Sequence, residues 1–304
     1  MKASASRVAA MLALGIALVG PMIARHAAAQ ADGHKAQDPI DDGAEDDNPY
    51  STPPAPSAAA SAKPHPNAPR VPIPFQDGML RLPGGKFTMG SADPLASPNE
   101  RPPHAVTLAT FWIDKTEVSV RAFRACVDKH QCIRPQRASP LCTYDLDDPE
   151  LPVSCIRWSD AESYCRNLGR RLPRESEWEF AARGVSPIRY PWGGASTSCS
   201  TAVTLLNEGT SKSCVGKRPS AVGTHPQGTS AFGVLDLSGN VEEWTSDWYA
   251  ENLAEGASPR SGASHVLRGG GWLSAPSASR TTTRNWGSVL EAGPNVGFRC
   301  AKDG

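Results

Sequence analysis

The stretch SAFGVLDLSGNVEEWTSDWY, at residues 230–249, decides the fold of this chain. It is followed in order by HVLRGGGWLS (265–274) and NVGFRC (295–300), and all three stretches combine turn-forming residues with large rings. Isolated tryptophans recur beyond residue 190, at positions 192, 244, 248, 272 and 286. Because each ring can bury a large area, such a segment can form a core despite little regular structure.

Upstream of these stretches, the pattern predicts short strands and helices. Apolar residues alternate within 79–91 and 104–114, which indicates strands interrupted at Gly84-Gly85. A first helix is predicted within 118–130. Its apolar positions are Val120, Phe123, Ala125 and Val127.

Two further predicted helices have recognisable ends. The second begins near Ser159, whose hydroxyl would cap it, and ends at Gly169. Its buried stripe has the spacing i, i+3, i+4, i+7, at Ala161, Tyr164, Cys165 and Leu168. The third follows Leu172-Pro173, with the proline tolerated in the first turn, and ends at Gly184. Its inward residues are Trp178, Ala181 and Ala182. We therefore expect an α+β fold with much irregular backbone.

The net charge of the chain and its N-terminal segment indicate which partners are not expected and where the protein is located. The chain has 304 residues with 31 basic and 31 acidic side chains, so nothing points to nucleic acid or an anionic membrane surface. Residues 1–31 are typical of a secretory signal peptide, with Lys2 and Arg7 before an apolar run and Ala27-Ala28-Ala29 as the cleavage site. The alternative, a membrane anchor, is disfavoured because Pro21 interrupts the run. We expect export to the periplasm or the extracellular space, with no membrane span after cleavage.

Two segments follow the signal peptide. Residues 32–70 are predicted to be a disordered linker, because seven acidic residues between Asp32 and Asp47 precede a tract rich in proline, alanine and serine. Such a composition has too little apolar surface to offset the entropy of ordering. Residues 71–304 are predicted to fold, and their number suits one large domain or two small ones.

Eight cysteines lie between Cys126 and Cys300, and an even number in an exported chain predicts a disulfide framework. Spacing suggests three local pairs, namely Cys126–Cys132, Cys199–Cys214 and Cys142–Cys155. Spacing alone does not fix the connectivity. A metal site built from these cysteines is disfavoured, because no CxxC pair occurs and no histidine is adjacent to them.

Together with LPRESEWEFAARG (172–184), the three C-terminal stretches resemble the formylglycine-generating enzyme family, also called sulfatase-modifying factors. The resemblance covers roughly residues 76–304 and keeps the order of the family's motifs. It implies a large variant of the C-type lectin-like fold, stapled by disulfides. It also implies a structural disulfide between Cys165, on the second helix, and Cys300, in the motif GFRC.

The resemblance further implies a structural calcium site in DLSGNVEEW. Asp236 and Glu243 would supply side-chain oxygens, and Gly239 and Val241 would supply backbone carbonyls. Calcium favours oxygen ligands gathered around a tight turn. Ligands for the family's second calcium site are not recognisable between residues 192 and 223.

The family's catalytic cysteines are missing. The oxidases hold copper(I) between two cysteines, which would fall here at Ser274 and Ser279. A serine hydroxyl is a hard donor that stays protonated at neutral pH, so copper(I) is not expected. The serine of the family's Gly-Gly-Ser turn is replaced as well, by Gly271. Iron is not expected either, because the related iron enzymes need three histidines and those here are isolated, at His104, His130, His225 and His265.

Three hypotheses about function remain open. The first is an exported, non-catalytic module that binds a peptide, a glycan or a protein partner. The second is a metal-dependent oxidoreductase of the same family, acting on a protein or peptide thiol through unrecognised ligands. The third is a hydrolase or transferase with Ser274 or Ser279 as nucleophile and His265 as base. Three arginines flank the altered cleft and would be either structural or suited to an anionic ligand, namely Arg268, Arg280 and Arg284.

Overall fold

The computed structural model describes residues 72–94, 96–136, 139–193, 196–251, 259–290 and 292–304. The predicted signal peptide (1–31) and linker (32–70) lie outside these residues. Within them, no helix is both long enough and apolar enough to cross a bilayer.

Short strands and helices alternate with long irregular segments, as expected for an α+β fold. The strands are β1 Phe75–Gln76, β2 Met79–Leu82, β3 Gly85–Met89, β4 His104–Leu108, β5 Phe111–Asp114, β6 Glu242–Trp248, β7 Ser264–Arg268, β8 Arg284–Ser288, β9 Val296–Gly297 and β10 Ala301–Asp303. The α-helices are α1 Val120–Asp128, α2 Trp158–Asn167 and α3 Glu175–Arg183. Short 3-10 helices occur at Pro98–Glu100, Thr143–Asp145, Pro226–Gly228 and Pro276–Ser279.

Two of the sheets fix the architecture. One has the order β1-β2-β5-β10, with antiparallel neighbours throughout, so the first and last strands belong to the same sheet. Another has the order β8-β7-β6-β9, in which β6 and β9 are parallel and the other neighbours antiparallel. Strands β3 and β4 form a separate antiparallel pair. The sheet centred on β6 carries the segment that decides the fold and positions the features described below.

Helix α1 confirms most of its predicted apolar positions. Val120 and Phe123 are buried, and the partly buried Val127 packs against the same apolar cluster. Ala125, however, is exposed, and Cys126 takes the inward position instead. A step of three residues from Phe123 reaches Cys126 on the same helical face, whereas Ala125 lies off that face. The prediction for Ala125 is therefore wrong.

Helix α2 differs from its prediction at both ends. It begins at Trp158 with Arg157 as the N-terminal capping residue, so Ser159 lies inside the first turn and the predicted serine cap is wrong. Three of the four stripe residues are buried, but Leu168 is 47% exposed because it follows the last helical residue. Gly169 adopts a φ of 67°, which a glycine tolerates well and which ends the helix as predicted.

Helix α3 buries the three inward residues predicted for it, Trp178, Ala181 and Ala182. It ends at Gly184, which has a φ of 63°. Pro173 precedes the capping residue Arg174 and therefore lies outside the first turn. The helix also buries three glutamates, Glu175, Glu177 and Glu179, which the apolar pattern did not predict.

Large rings fill the interior, as the sequence predicts. Trp244 and Trp272 are each 1% exposed. One apolar cluster contains Phe123, Tyr164, Trp244, Leu267 and Phe298, and a second contains Leu82, Phe111, Trp178, Phe180 and Leu237. Trp286 is an exception, because it is 51% exposed and stacks on Tyr249 at the surface.

All eight cysteines are paired in disulfides. Three bonds close local loops, namely Cys126–Cys132, Cys142–Cys155 and Cys199–Cys214. The fourth, Cys165–Cys300, joins residues 135 apart and ties α2 to the segment before β10. Four disulfides fit an exported protein.

Candidate functional site

The turn that follows β7 occupies the place where the family's cysteines were expected. A Cβ atom at Gly270 would lie 2.7 Å from Ser279 Oγ, and Gly270 has a φ of 61°. A Cβ atom at Gly271 would lie 2.4 Å from Asn295 Oδ1. With Asn295 in this position, a serine at 271 has no room, so the turn is built around glycine.

Both serines of this turn bond to neighbouring groups. Ser274 Oγ accepts hydrogen bonds from the Gly271 N–H at 2.9 Å and from Asn295 Nδ2 at 3.3 Å. Ser279 is fully buried, and its hydroxyl is 3.5 Å from the Ala275 carbonyl. Within the described chain, neither hydroxyl bonds to a histidine. The third hypothesis therefore lacks the base that would activate a serine.

The three arginines near the turn are structural. Each pairs with a buried glutamate, so the positive charge of its guanidinium group is already balanced within the protein. The pairs are Arg268 with Glu179, Arg280 with Glu100, and Arg284 with Glu175. Since Arg268 and Glu179 are both 0% exposed, an anionic ligand does not reach this pair from solvent.

A buried ion pair lies beneath the β6 sheet. Both oxygens of Glu243 accept hydrogen bonds from Arg299, at 2.6 and 2.7 Å. The Trp178 indole N–H donates to the same carboxylate at 2.9 Å. Glu243 and Arg299 are each 0% exposed. This geometry fixes both side chains and leaves one acceptor position free on Glu243 Oε1.

Further carboxylates surround Arg299. Glu117 is buried and accepts hydrogen bonds from Asn240 Nδ2 at 2.8 Å and from a backbone N–H. Burial raises the pKa of Glu117 well above its ordinary value, and it raises the pKa of Asp236 and of Asp114 to about 6. Several buried carboxyl groups thus share the single positive charge of Arg299.

The four expected calcium ligands lie around the turn at 236–243. Gly239 has a φ of 81°, and a Cβ atom there would lie 2.5 Å from the Val203 carbonyl oxygen. Asp236 Oδ2 accepts the Gly223 N–H at 2.6 Å. Among the described residues, no group of three or more His, Cys, Asp or Glu side chains is arranged to hold a metal ion. A cation held here would therefore depend on backbone carbonyls as well as on carboxylates.

His265 lies between two indole rings. Its ring is 3.8 Å from the centroid of Trp158 on one side and 3.8 Å from that of Trp248 on the other. Nδ1 is 3.0 Å from the Asp247 carbonyl oxygen, while Nε2 is buried with no hydrogen-bond partner in the described part of the chain. Burial lowers the pKa of His265 to about 4. The stack therefore holds a neutral imidazole of low basicity, which makes this buried histidine a poor general base.

We expect this stack to make the fold sensitive to acid. Unfolded His265 takes up a proton near its ordinary pKa of 6.5, whereas folded His265 does so near 4. The unfolded state thus binds more protons between these values, and the contribution to stability falls as pH drops from 6.5 to 4. Urea unfolding of the wild type and His265→Phe at several pH values should show this loss in the wild type alone.

The exposed His130 gives a matched control, because His130→Asn removes a histidine outside the stack. That variant should follow the wild type across the pH range. A constant difference in unfolding free energy between wild type and His265→Phe at every pH would show that His265 does not cause the acid sensitivity.

Glu242 is a polar residue of this region that the sequence reasoning missed. Glu242 and Glu243 open β6 side by side, and successive strand residues point to opposite faces. Glu243 meets Arg299 on one face, so Glu242 must use the other. Two adjacent acids directly before Trp244 were the available sequence signal.

Comparisons with known proteins agree with this geometry. Residues 65–304 match the family model of the sulfatase-modifying factor enzyme 1-like domain. The chain is 32% identical to the formylglycine-generating enzyme of Streptomyces coelicolor, with 82% of this chain and 96% of that protein covered. It is also 32% identical to the inactive C-alpha-formylglycine-generating enzyme 2 of Mus musculus, with 73% and 85% covered.

Solved structures show the same fold. PvdO from Pseudomonas aeruginosa aligns with a TM-score of 0.62 and 27% identity, covering 74% of this chain and 94% of PvdO. The variable protein 1 of Treponema denticola aligns with a TM-score of 0.58 and 22% identity, covering 74% and 95%. The similarity therefore spans most of each compared structure.

Proposed function

Because the chain belongs to the sulfatase-modifying factor family, we propose that it is an exported member that has lost formylglycine-generating oxidase activity and serves as a binding module. The observation that carries this proposal is the state of the cysteines. All eight are in disulfides, so no thiolate is left to hold copper(I).

The altered turn supports the same proposal. At Ser274 and Ser279, where the family's cysteines were expected, the hydroxyls bond to groups of the same turn and, for Ser274, to Asn295. The mouse relative whose name describes it as inactive shows a similar degree of identity to this chain as the Streptomyces coelicolor enzyme does. Family membership is therefore compatible with a domain that does not oxidise thiols.

A peptide assay tests the proposal. The full chain is incubated with a Cys-x-Pro-x-Arg peptide, with and without copper, and the mass of the peptide is followed. We expect no conversion of the thiol to an aldehyde, whereas the Streptomyces coelicolor relative under the same conditions provides the positive control. Conversion by this chain, or stoichiometric iron or copper in the purified protein, would instead support the metal-dependent oxidoreductase.

The proposal includes a structural calcium ion at the 236–243 turn. Asp236 and the remaining acceptor position of Glu243 would supply carboxylate oxygens, and Gly239 and Val241 would supply carbonyl oxygens. The buried carboxyl groups around Arg299 outnumber its positive charge, and a divalent cation in this region would favour their ionised form. Such an ion would stabilise the fold and would take no part in a reaction.

We expect calcium to raise the melting temperature of the wild type and to have no effect on Asp236→Asn. The rise should be larger at pH 7.5 than at pH 5, because the raised pKa of Asp236, about 6, leaves its carboxyl protonated at the lower pH. Asp303→Asn, which changes a carboxylate whose side chain is 79% exposed, is the matched control. Equal melting curves for wild type and Asp236→Asn across a calcium titration would refute the site.

A further inference from the structure

Glu242 differs from the other buried carboxylates of the described chain. Its side chain is 7% exposed, yet no arginine, lysine or histidine lies close enough to affect its charge. The others each have an arginine as partner or electrostatic neighbour, as in Glu100 with Arg280 or Glu243 with Arg299. A buried carboxylate without a counter-ion is costly for the fold. Such a group is a candidate for ligand binding.

One oxygen of Glu242 is available to a ligand. Oε1 accepts a hydrogen bond from Asn285 Nδ2 at 3.0 Å. Oε2 accepts no hydrogen bond from the described residues. It also does not belong to the side-chain atoms of these residues that are both fully buried and without a hydrogen-bond partner. Glu242 also lines a cavity of about 400 Å³. The free oxygen therefore has access to this cavity.

The cavity lies on one face of the sheet formed by β8, β7, β6 and β9. Glu242 and Trp244 are two residues apart on β6 and share that face. Leu267 lies opposite Trp244, and Asn285 lies opposite Leu267. Val296, opposite Glu242, lines the cavity as well. The resulting site has an apolar wall with one carboxylate and one carboxamide, a composition typical of small-ligand pockets.

Gly287 gives this face its shape. A Cβ atom at position 287 would lie 2.4 Å from the Trp244 ring. A residue with a side chain at position 287 would push the Trp244 indole out of its present place in the cavity wall. Glycine thus lets the Trp244 ring extend beneath β8, next to Glu242.

We propose that this cavity binds a primary ammonium or guanidinium group, with Glu242 as its counter-ion and the Trp244–Leu267 surface in contact with the attached alkyl chain. The carboxylate of Glu242, which has no counter-ion, favours a positively charged ligand. The apolar wall favours a cation that carries an alkyl chain. One carboxylate with one amide is too few ligands for a metal ion. The inference goes beyond the proposed function, because it holds whether or not the domain oxidises a thiol.

Charged neighbours in the same sheet are paired on the opposite face: Glu243 with Arg299, Arg268 with Glu179, and Arg284 with Glu175. Among the described residues that line the cavity, Glu242 is the only one with a charged side chain. A cation in the cavity would therefore meet the carboxylate of Glu242 and no competing positive charge.

Calorimetry with charge-matched probes tests the proposal. Butylammonium and agmatine should bind, whereas butanol should bind at least tenfold more weakly. A short lysine peptide compared with its acetyl-lysine form distinguishes a peptide side chain from a free amine as the source of the cation. Glu242→Gln should lose at least tenfold in affinity for the cationic probes, while Glu150→Gln, a surface control, should bind as the wild type does.

The wild-type measurements decide the matter even if Glu242→Gln does not fold. Binding of butylammonium and agmatine that is at least tenfold tighter than binding of butanol supports the proposal. Equal affinity for cationic and neutral probes, or no binding of either, overturns it. The thiol-oxidation assay is read separately, so a failure here leaves the proposed loss of oxidase activity untouched.

Discussion

Replacing both Cys165 and Cys300 with alanine is expected to lower the free energy of unfolding by about 5 kcal/mol. The bond closes a loop of 135 residues, so it removes more entropy from the unfolded chain than the local bonds do. Both cysteines are 0% exposed, and the lost sulfur contacts add to the effect. Denaturant unfolding under oxidising conditions measures the loss.

The Cys126–Cys132 bond provides the matched control, because it closes a separation of only 6 residues. Alanine at both positions should cost about 2 kcal/mol on the same loop model. If the two double variants lose equal stability, loop length is not what makes Cys165–Cys300 important. A double variant at 165 and 300 that unfolds as the wild type does would contradict the prediction directly.

Replacing Arg299 with leucine is expected to destabilise the domain by about 3–5 kcal/mol at pH 7.5. The substitution leaves Glu243 buried without its partner and removes the positive charge nearest Glu117 and Asp236. The raised pKa values of Glu117 and Asp236 should then rise further, because Arg299 lowers both. Acids whose pKa is raised in the folded state lose stability as pH increases, so the deficit should shrink toward pH 5.

Arg121→Leu tests whether burial is the cause. Arg121 pairs with Glu150 at the surface, where the two side chains are 65% and 50% exposed. Exposed pairs of this kind contribute between zero and about 1 kcal/mol. A loss of similar size in both variants, or a deficit for Arg299→Leu that is constant between pH 5 and pH 8, would contradict this account.

Local sequence patterns correctly predicted the strands and helices that depend on residues close together in the chain. The alternation at 79–91 and 104–114 became β2 to β5, and the α3 stripe with its terminal Gly184 was predicted correctly. The wrong predictions concern where a helix begins and which of its residues face the core. Ser159 was expected to cap α2, but Arg157 holds that position, since the helix begins at Trp158.

Residues far apart in sequence form the features that local patterns did not predict. His265 is neutral because Trp158 and Trp248, on α2 and β6, enclose its ring. Two of the buried glutamates of α3, Glu175 and Glu179, pair with arginines more than 80 residues away, as in Arg268 with Glu179. No periodicity within a helix or strand carries this information.

The sequence by itself determined the family, the α+β architecture and the absence of cysteines where the family's oxidases bind copper. These follow from residue identity and order, which are present in the chain before it folds. Tertiary structure alone decided that Arg299 is shared among buried carboxylates and that Glu242 faces a cavity without a counter-ion. Such properties depend on burial and on distances between remote segments, because charge and reactivity in a protein are set by the surrounding groups.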